Sequence, residues 1–238
     1  MKNLFERALV FSWPLLVLAL VLPCSRVIAE ESEMEMMGGQ ASAALTWDFE
    51  HVEPGTLPAG WKAEATGRQE PLAHWQVAEV PDAHSGSRVL ALTETRHGSA
   101  STFNLCWTRA VSFRDGTIKV WFRPVKGRID QGGGIMWRVK DHDNYYVARF
   151  NPLEDNFRIY YVKNGVRRMI QSAGVSLRPG WHSMTIVQEG DRFQCLLDGR
   201  RLLQGRDSHF KGPGGVGLWT KADAATSFDD FQVVRKEP

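Results

Sequence analysis

From Thr46 onward, apolar and polar side chains alternate in short runs, and turn residues interrupt them every eight to twelve positions. That spacing is the signature of an all-β chain. Ile118, Val120 and Phe122 fall on one face of a run, and Lys119, Trp121 and Arg123 on the other. Ile135, Trp137 and Val139 oppose Met136 and Arg138. Phe157, Ile159 and Tyr161 oppose Arg158 and Tyr160, and Val216, Leu218 and Thr220 oppose Gly217, Trp219 and Lys221. Three hairpins are marked. Asn164-Gly165 joins Asn156–Lys163 to Val166–Ser172, and Asp198-Gly199 joins Arg192–Leu197 to Arg200–Gln204. Glu189-Gly190-Asp191 joins Trp181–Gln188 to Arg192–Leu197. Asn-Gly and Asp-Gly readily adopt the positive φ of tight hairpin turns. No segment sustains a 3.6-residue apolar period, and no glycine-rich phosphate loop opens a helix. About fourteen short strands therefore predict a two-sheet antiparallel sandwich.

The ends of the chain read differently. Lys2 and Arg7 precede an apolar run from Ala8 to Pro23, and Val27-Ile28-Ala29 offers a cleavage site. Residues 1–29 are thus expected to be a signal peptide. The run is shorter than the roughly 18 residues expected of a spanning helix. The alternatives are a lipoprotein modified at Cys24, for which Pro23 is a poor preceding residue, and an uncleaved anchor. Residues 30–45 begin with an acidic, Met-rich stretch (EESEMEMMGG) and are expected to form a flexible leader. Glu31, Glu33 and Glu35 imitate a glycosidase carboxylate run there without a rigid strand to hold it. Residues 46–236 are the expected domain, in a secreted or periplasmic protein with no membrane insertion after cleavage.

Removing residues 1–29 takes away three of the 29 basic and one of the 27 acidic residues, leaving 26 of each. A neutral mature chain argues against a nucleic-acid partner. Cys106 and Cys195 remain, each in an apolar strand, and read as two separate buried thiols although an oxidising compartment would permit a disulfide.

Several tracts together carry a family resemblance: Trp47-Asp48-Phe49-Glu50, the turn Leu57-Pro58-Ala59-Gly60-Trp61, GRIDQGGGIMWR from Gly127, DNYYVARFN from Asp143, DNFRIYY from Asp155 and GGVGLWTKADAATSFDDFQV from Gly214. In this order, across roughly residues 46–234, the chain resembles the concanavalin A-like lectin/glucanase jelly rolls, especially domains related to 3-keto-disaccharide hydrolases and laminin-G-like modules. The resemblance implies a jelly-roll sandwich whose concave sheet face binds carbohydrate. It also implies a structural calcium between the first and last strands, for which Asp48 and Asp230 are the candidate ligands, with Glu50 and Asp229 beside them. No other cofactor is expected. Asp141-His142-Asp143-Asn144 reads as a polar connection between strands.

A sugar ring needs flat π faces for its C–H groups and fork-like donors for its hydroxyls or carboxylates. On that ground Trp121, Arg138, Tyr146, Arg149, Arg158, Tyr160, Trp219 and Lys221 form the candidate groove, with a glycan or small saccharide as the partner. Residues 119–168 hold eleven Lys or Arg against five acids, which favours acidic or sulfated glycans. Glycosidases of the resembled family carry a Glu-x-Asp-x-Glu strand; the mature strands have none. The function expected is an exported, non-catalytic carbohydrate-binding domain. The alternatives are an enzyme releasing the aglycone of a 3-keto-disaccharide, with Asp223, His97 or His182 as candidate groups, and a cell-surface scaffold or adhesion module.

Overall fold

The computed structural model describes residues 44–95 and 99–236. The expected signal peptide, nearly all of the leader, and His97 lie outside the described residues. Among the described residues, fifteen strands, numbered β1 to β15 in chain order, form two antiparallel sheets. The first runs β13 (Arg200–Arg206), β12 (Arg192–Leu197), β11 (His182–Glu189), β6 (Gly116–Lys126), β15 (Ala225–Arg235), β4 (Arg88–Glu94) and β3 (His74–Glu79), with β1 (Leu45–Trp47) also paired to β15. The second runs β10 (Val166–Gly174), β9 (Asn156–Lys163), β8 (Asn144–Asn151), β7 (Gly133–Asp141), β14 (Gly214–Lys221), β5 (Phe103–Phe113) and β2 (Trp61–Ala65). A short 3-10 turn at Thr66–Arg68 follows β2.

The hairpins form as the turn residues dictate. Asn164 and Asp198 take φ of 49° and 47°, followed by glycines at 75° and 73°, the left-handed pair that a tight two-residue turn requires. Alternation then places Ile118, Val120 and Phe122 of β6 and Ile135 and Trp137 of β7 between the sheets. Phe157 and Ile159 of β9 and Val216 and Leu218 of β14 join them. Trp47, Trp61 and Phe231 pack at one corner with ring centres 5.4–5.8 Å apart. Each fully buried Val, Leu, Ile or Phe of this core contributes about 1.5–3 kcal/mol. Cys106 and Cys195 are separate free thiols in this core, and burial pushes both pKa values up.

The second sheet curls. Neighbouring strands lie about 4.8 Å apart, so β10 and β5, five strands apart in the order, would stand about 24 Å apart on a flat sheet. Yet the Arg167 guanidinium of β10 lies 4.8 Å from the ring centre of Phe103 on β5. Only a sheet rolled into a trough brings them together. The far edge closes in the same way: Thr66, beyond β2, places its hydroxyl 2.8 Å from the Tyr145 hydroxyl on β8. Gly67 N–H donates to Asp143 Oδ1 at 2.7 Å in the β7–β8 turn. The outer face of this sheet is therefore concave, and its own side chains pack into a second cluster. Phe103, Leu105, Trp107, Met136, Tyr145, Val147, Tyr160 and Trp219 are all buried in it.

Candidate functional site

Small residues make the floor of the trough. Gly134 of β7 stands opposite Trp219 and Arg149, and Gly217 of β14 opposite Trp107 and Met136. A Cβ on Gly217 would come within 2.3 Å of Trp107 Cβ and 2.5 Å of the Cys106 carbonyl oxygen. Glycine here lets the indoles of Trp107 and Trp219 lie against the sheet. Trp219 Nε1 donates to the Tyr145 hydroxyl at 3.2 Å, and Trp107 Nε1 donates to Glu64 Oε2 at 2.8 Å. Arg167 spans the trough, its guanidinium carbon 4.4 Å from the Tyr160 ring centre and 5.8 Å from that of Trp219.

Charge gathers at one end. Lys221 Nζ donates to Asp130 Oδ2 at 3.0 Å. Arg149, 1% exposed, donates to Asn156 Oδ1 at 3.2 Å and Glu154 Oε2 at 3.0 Å, and Arg158 reaches the same Glu154 oxygen at 2.9 Å. Burial opposes the Glu154 charge, but the Asn156 amide and the two guanidinium groups outweigh it and hold its pKa at about 2. Glu154 is thus a fixed anion, ill-suited to give up a proton near neutrality. Glu64 and Asp130 are likewise engaged, with Lys62 and Trp107 and with Lys221 and Asn151. The chemistry of the trough is that of holding a polar ring: aromatic faces, guanidinium forks and paired carboxylates.

Of the eight expected groove residues, the structure brings Arg149, Arg158, Tyr160, Trp219 and Lys221 onto this outer face. It places three elsewhere. Trp121 lies on β6, in the other sheet, with its ring stacked on His84 at 3.8 Å. Alternation tells a strand's two faces apart, but not which sheet the strand joins. Arg138 takes φ 47° at an irregularity in β7, which turns its side chain out of sequence and brings Val139 to the trough in its stead. The guanidinium is spent on the carbonyls of Arg114, Phe210 and Gly190 and on Asp115. Tyr146 pairs with Trp137 and points between the sheets, donating to Asp207 Oδ1 at 2.5 Å. Three positions separate Tyr146 from Arg149, so a regular strand cannot show both on one face.

Phe103, Trp107, Tyr145, Glu154 and Arg167 were not expected in the site. A signal for Arg167 existed: the Asn164-Gly165 turn pairs it with Val162, which shares a face with Tyr160 and Arg158. Phe103 and Trp107 depend on β5 pairing with β14, a distant partnership that no local pattern announces.

The other candidate chemistry is dispersed. Asp223 accepts the backbone N–H groups of Arg128, Ile129 and Asp130 at 2.7–3.0 Å. Burial works against its charge, yet these donors hold its carboxyl below the ordinary range. His182 lies between Asp198 Oδ2 and the Arg178 carbonyl, at 2.8 and 2.6 Å, on the other sheet. Both are structural ties. Asp48 Oδ1 accepts Glu50 N–H, and Glu50 accepts the N–H groups of Ser87 and Arg88. Among the described histidine, cysteine and acidic side chains, those within ligand reach of Asp230 are Asp229 and His84. Two carboxylates and an imidazole fall short of the six to eight oxygens that calcium takes, so these side chains do not by themselves make the expected calcium shell.

No family model matches the chain. Levanase from Bacillus subtilis (strain 168) is 32% identical over 109 residues, 44% of this chain, and the chain spans only 15% of that relative's length. Carbohydrate binding module CBM66 from Bacillus subtilis superposes with a TM-score of 0.57 at 21% identity, over 73% of this chain and 95% of that one. The fold is the concanavalin A-like jelly roll. A further example is domain 4 of AbnA, a GH43 extracellular arabinanase from Geobacillus stearothermophilus, in complex with arabinotriose, with a TM-score of 0.54 at 9% identity, over 82% and 94% of the two chains. The jelly roll accounts for the curled sheet, and its concave side is the trough described above.

Proposed function

We propose that this protein is an exported carbohydrate-binding jelly-roll domain that holds a saccharide in the trough of its seven-stranded sheet without cleaving it. One observation carries the reading: aromatic rings and guanidinium groups converge on the concave face, with Arg149 and Arg167 both over the Tyr160 ring and Arg167 also over that of Trp219. Support comes from the fold shared with a carbohydrate binding module and with an arabinanase domain in complex with arabinotriose, and from the partial similarity to a levanase. Glu154, held ionised beside two arginines, suits the acceptance of sugar hydroxyls better than proton transfer. Export follows the reading of residues 1–29 as a signal peptide, with the mature domain in the periplasm or outside the cell.

Affinity electrophoresis and calorimetry with neutral polysaccharides (levan, arabinan, galactan) and acidic ones (polygalacturonate, a sulfated galactan) test this. Saturable binding to at least one, weakened tenfold or more by Tyr160→Ala and untouched by Trp121→Ala on the other sheet, is expected. Retention of none, or equal loss with both variants, would overturn the reading. Product release from these glycans or from a 3-keto-disaccharide would instead make the trough an active site.

A further inference from the structure

The charges of the trough do not cancel. Lys62 is matched by Glu64 and Lys221 by Asp130, at 2.8 and 3.0 Å. Glu154 alone serves both Arg149 and Arg158. Arg167 has no carboxylate within ion-pair distance among the described residues; its guanidinium rests only on the rings of Phe103, Tyr160 and Trp219. Two N–H donors are also unused: Arg149 Nε and Arg167 Nη1 are shielded from water and have no hydrogen-bond partner. A buried donor left unpaired is costly, more so on a charged group. Both guanidinium groups lie over the same ring, Tyr160, at 6.0 and 4.4 Å from its centre. Burial lowers the Arg167 pKa, and the nearby Arg149 charge lowers it further.

We infer that Arg149 and Arg167 form an anion subsite, taking a carboxylate or sulfate group carried by the saccharide that the trough holds. The inference rests on the saccharide-binding reading and narrows it to acidic glycans. An anion between the two arginines would satisfy both idle donors, relieve their mutual repulsion and offset half of the surplus positive charge, while Phe103 and Tyr160 flank the ring that carries it. Guanidinium matches planar oxyanions with charge-assisted hydrogen bonds that a sugar hydroxyl cannot equal.

The test is calorimetric titration of the full chain at low and moderate salt with three probes: trigalacturonate for the carboxylate, a sulfated galactan oligosaccharide for the sulfate ester, and a neutral galactan oligosaccharide. At least one acidic probe is expected to bind tenfold or more tighter than the neutral one, with affinity falling as salt rises. Arg167→Gln, at a partly buried position, should erase that preference by a factor of roughly 10–100, as loss of a charge-assisted bond predicts. Arg149→Gln should do the same, provided its thermal melt confirms folding. Whichever acidic probe shows the preference identifies the anion. Equal, salt-insensitive binding of acidic and neutral probes, or a preference that survives Arg167→Gln, would overturn the subsite and leave the saccharide reading standing. Binding of no probe or other glycan would overturn both.

Discussion

Replacing Gly217 with alanine tests the curled, tightly floored trough. The added Cβ would lie 2.3 Å from Trp107 Cβ, 2.5 Å from the Cys106 carbonyl oxygen and 2.6 Å from Trp107 Cα. Two of these are backbone atoms of β5, which is hydrogen-bonded to β14 on one side and β2 on the other. Nothing flexible can yield, so the strands must part or Trp107 must leave its place. Overpacking typically costs about 1–3 kcal/mol, and contacts against backbone put this case near about 3 kcal/mol. For a domain of this size each kcal/mol moves the melting temperature by about 2–4 °C, giving a fall of about 6–12 °C by calorimetry. Gly174→Ala is the control: its Cβ would meet nothing within 4 Å, and its melting temperature should hold or rise slightly. A Gly217→Ala protein melting within a degree of the parent would refute the packing described.

Other consequences follow from the same structure. Burial raises the Asp229 carboxyl from 3.8 to about 6, and Asp230 adds to the shift, so folding favours its protonated form. Its contribution to stability is therefore full below pH 4 and is lost as pH rises through 6, by up to about 3 kcal/mol. Asp229→Asn, melted in a metal chelator, should gain stability relative to the parent across that window; an unchanging difference would contradict the shift. Arg138→Met should cost about 3–5 kcal/mol, since it removes a buried guanidinium that donates to the carbonyls of Arg114, Phe210 and Gly190 and pairs with Asp115. Glycan affinity measured well below that variant's melting temperature should stay within about twofold of the parent, because Arg138 does not reach the trough. Cys106 and Cys195 should resist thiol reagents in the native protein and react together on unfolding, and reductant should leave the melting temperature unchanged.

The sandwich was legible because its signals are local. Alternation and the Asn-Gly and Asp-Gly turns placed Asn156–Lys163 and Arg192–Leu197 with the boundaries observed for β9 and β12. They also set the faces of β6, β9 and β14. The site was legible only where regular alternation holds. Arg158, Tyr160, Trp219 and Lys221 fall where parity puts them. Arg138 does not, because a left-handed residue breaks the period. Trp121 was grouped with residues of the other sheet because long-range pairing, not local pattern, assigns β6 to β11 and β15. The trough itself is a property of curvature across seven strands. It shows in the contact between Arg167 and Phe103, which are remote both in sequence and in strand order.

The most direct test of the central claim uses the tryptophans as reporters. Trp107 and Trp219 lie in the trough, while Trp121 and Trp181 lie near His84 by the other sheet. In a titration of labelled protein with the tightest-binding oligosaccharide, the account predicts that the indole N–H signals of Trp107 and Trp219 and the Nε–H signals of Arg149 and Arg167 shift together and saturate. The signals of Trp121 and Trp181 should stay in place. Shifts confined to Trp121 and Trp181, with the trough signals unmoved, would contradict it.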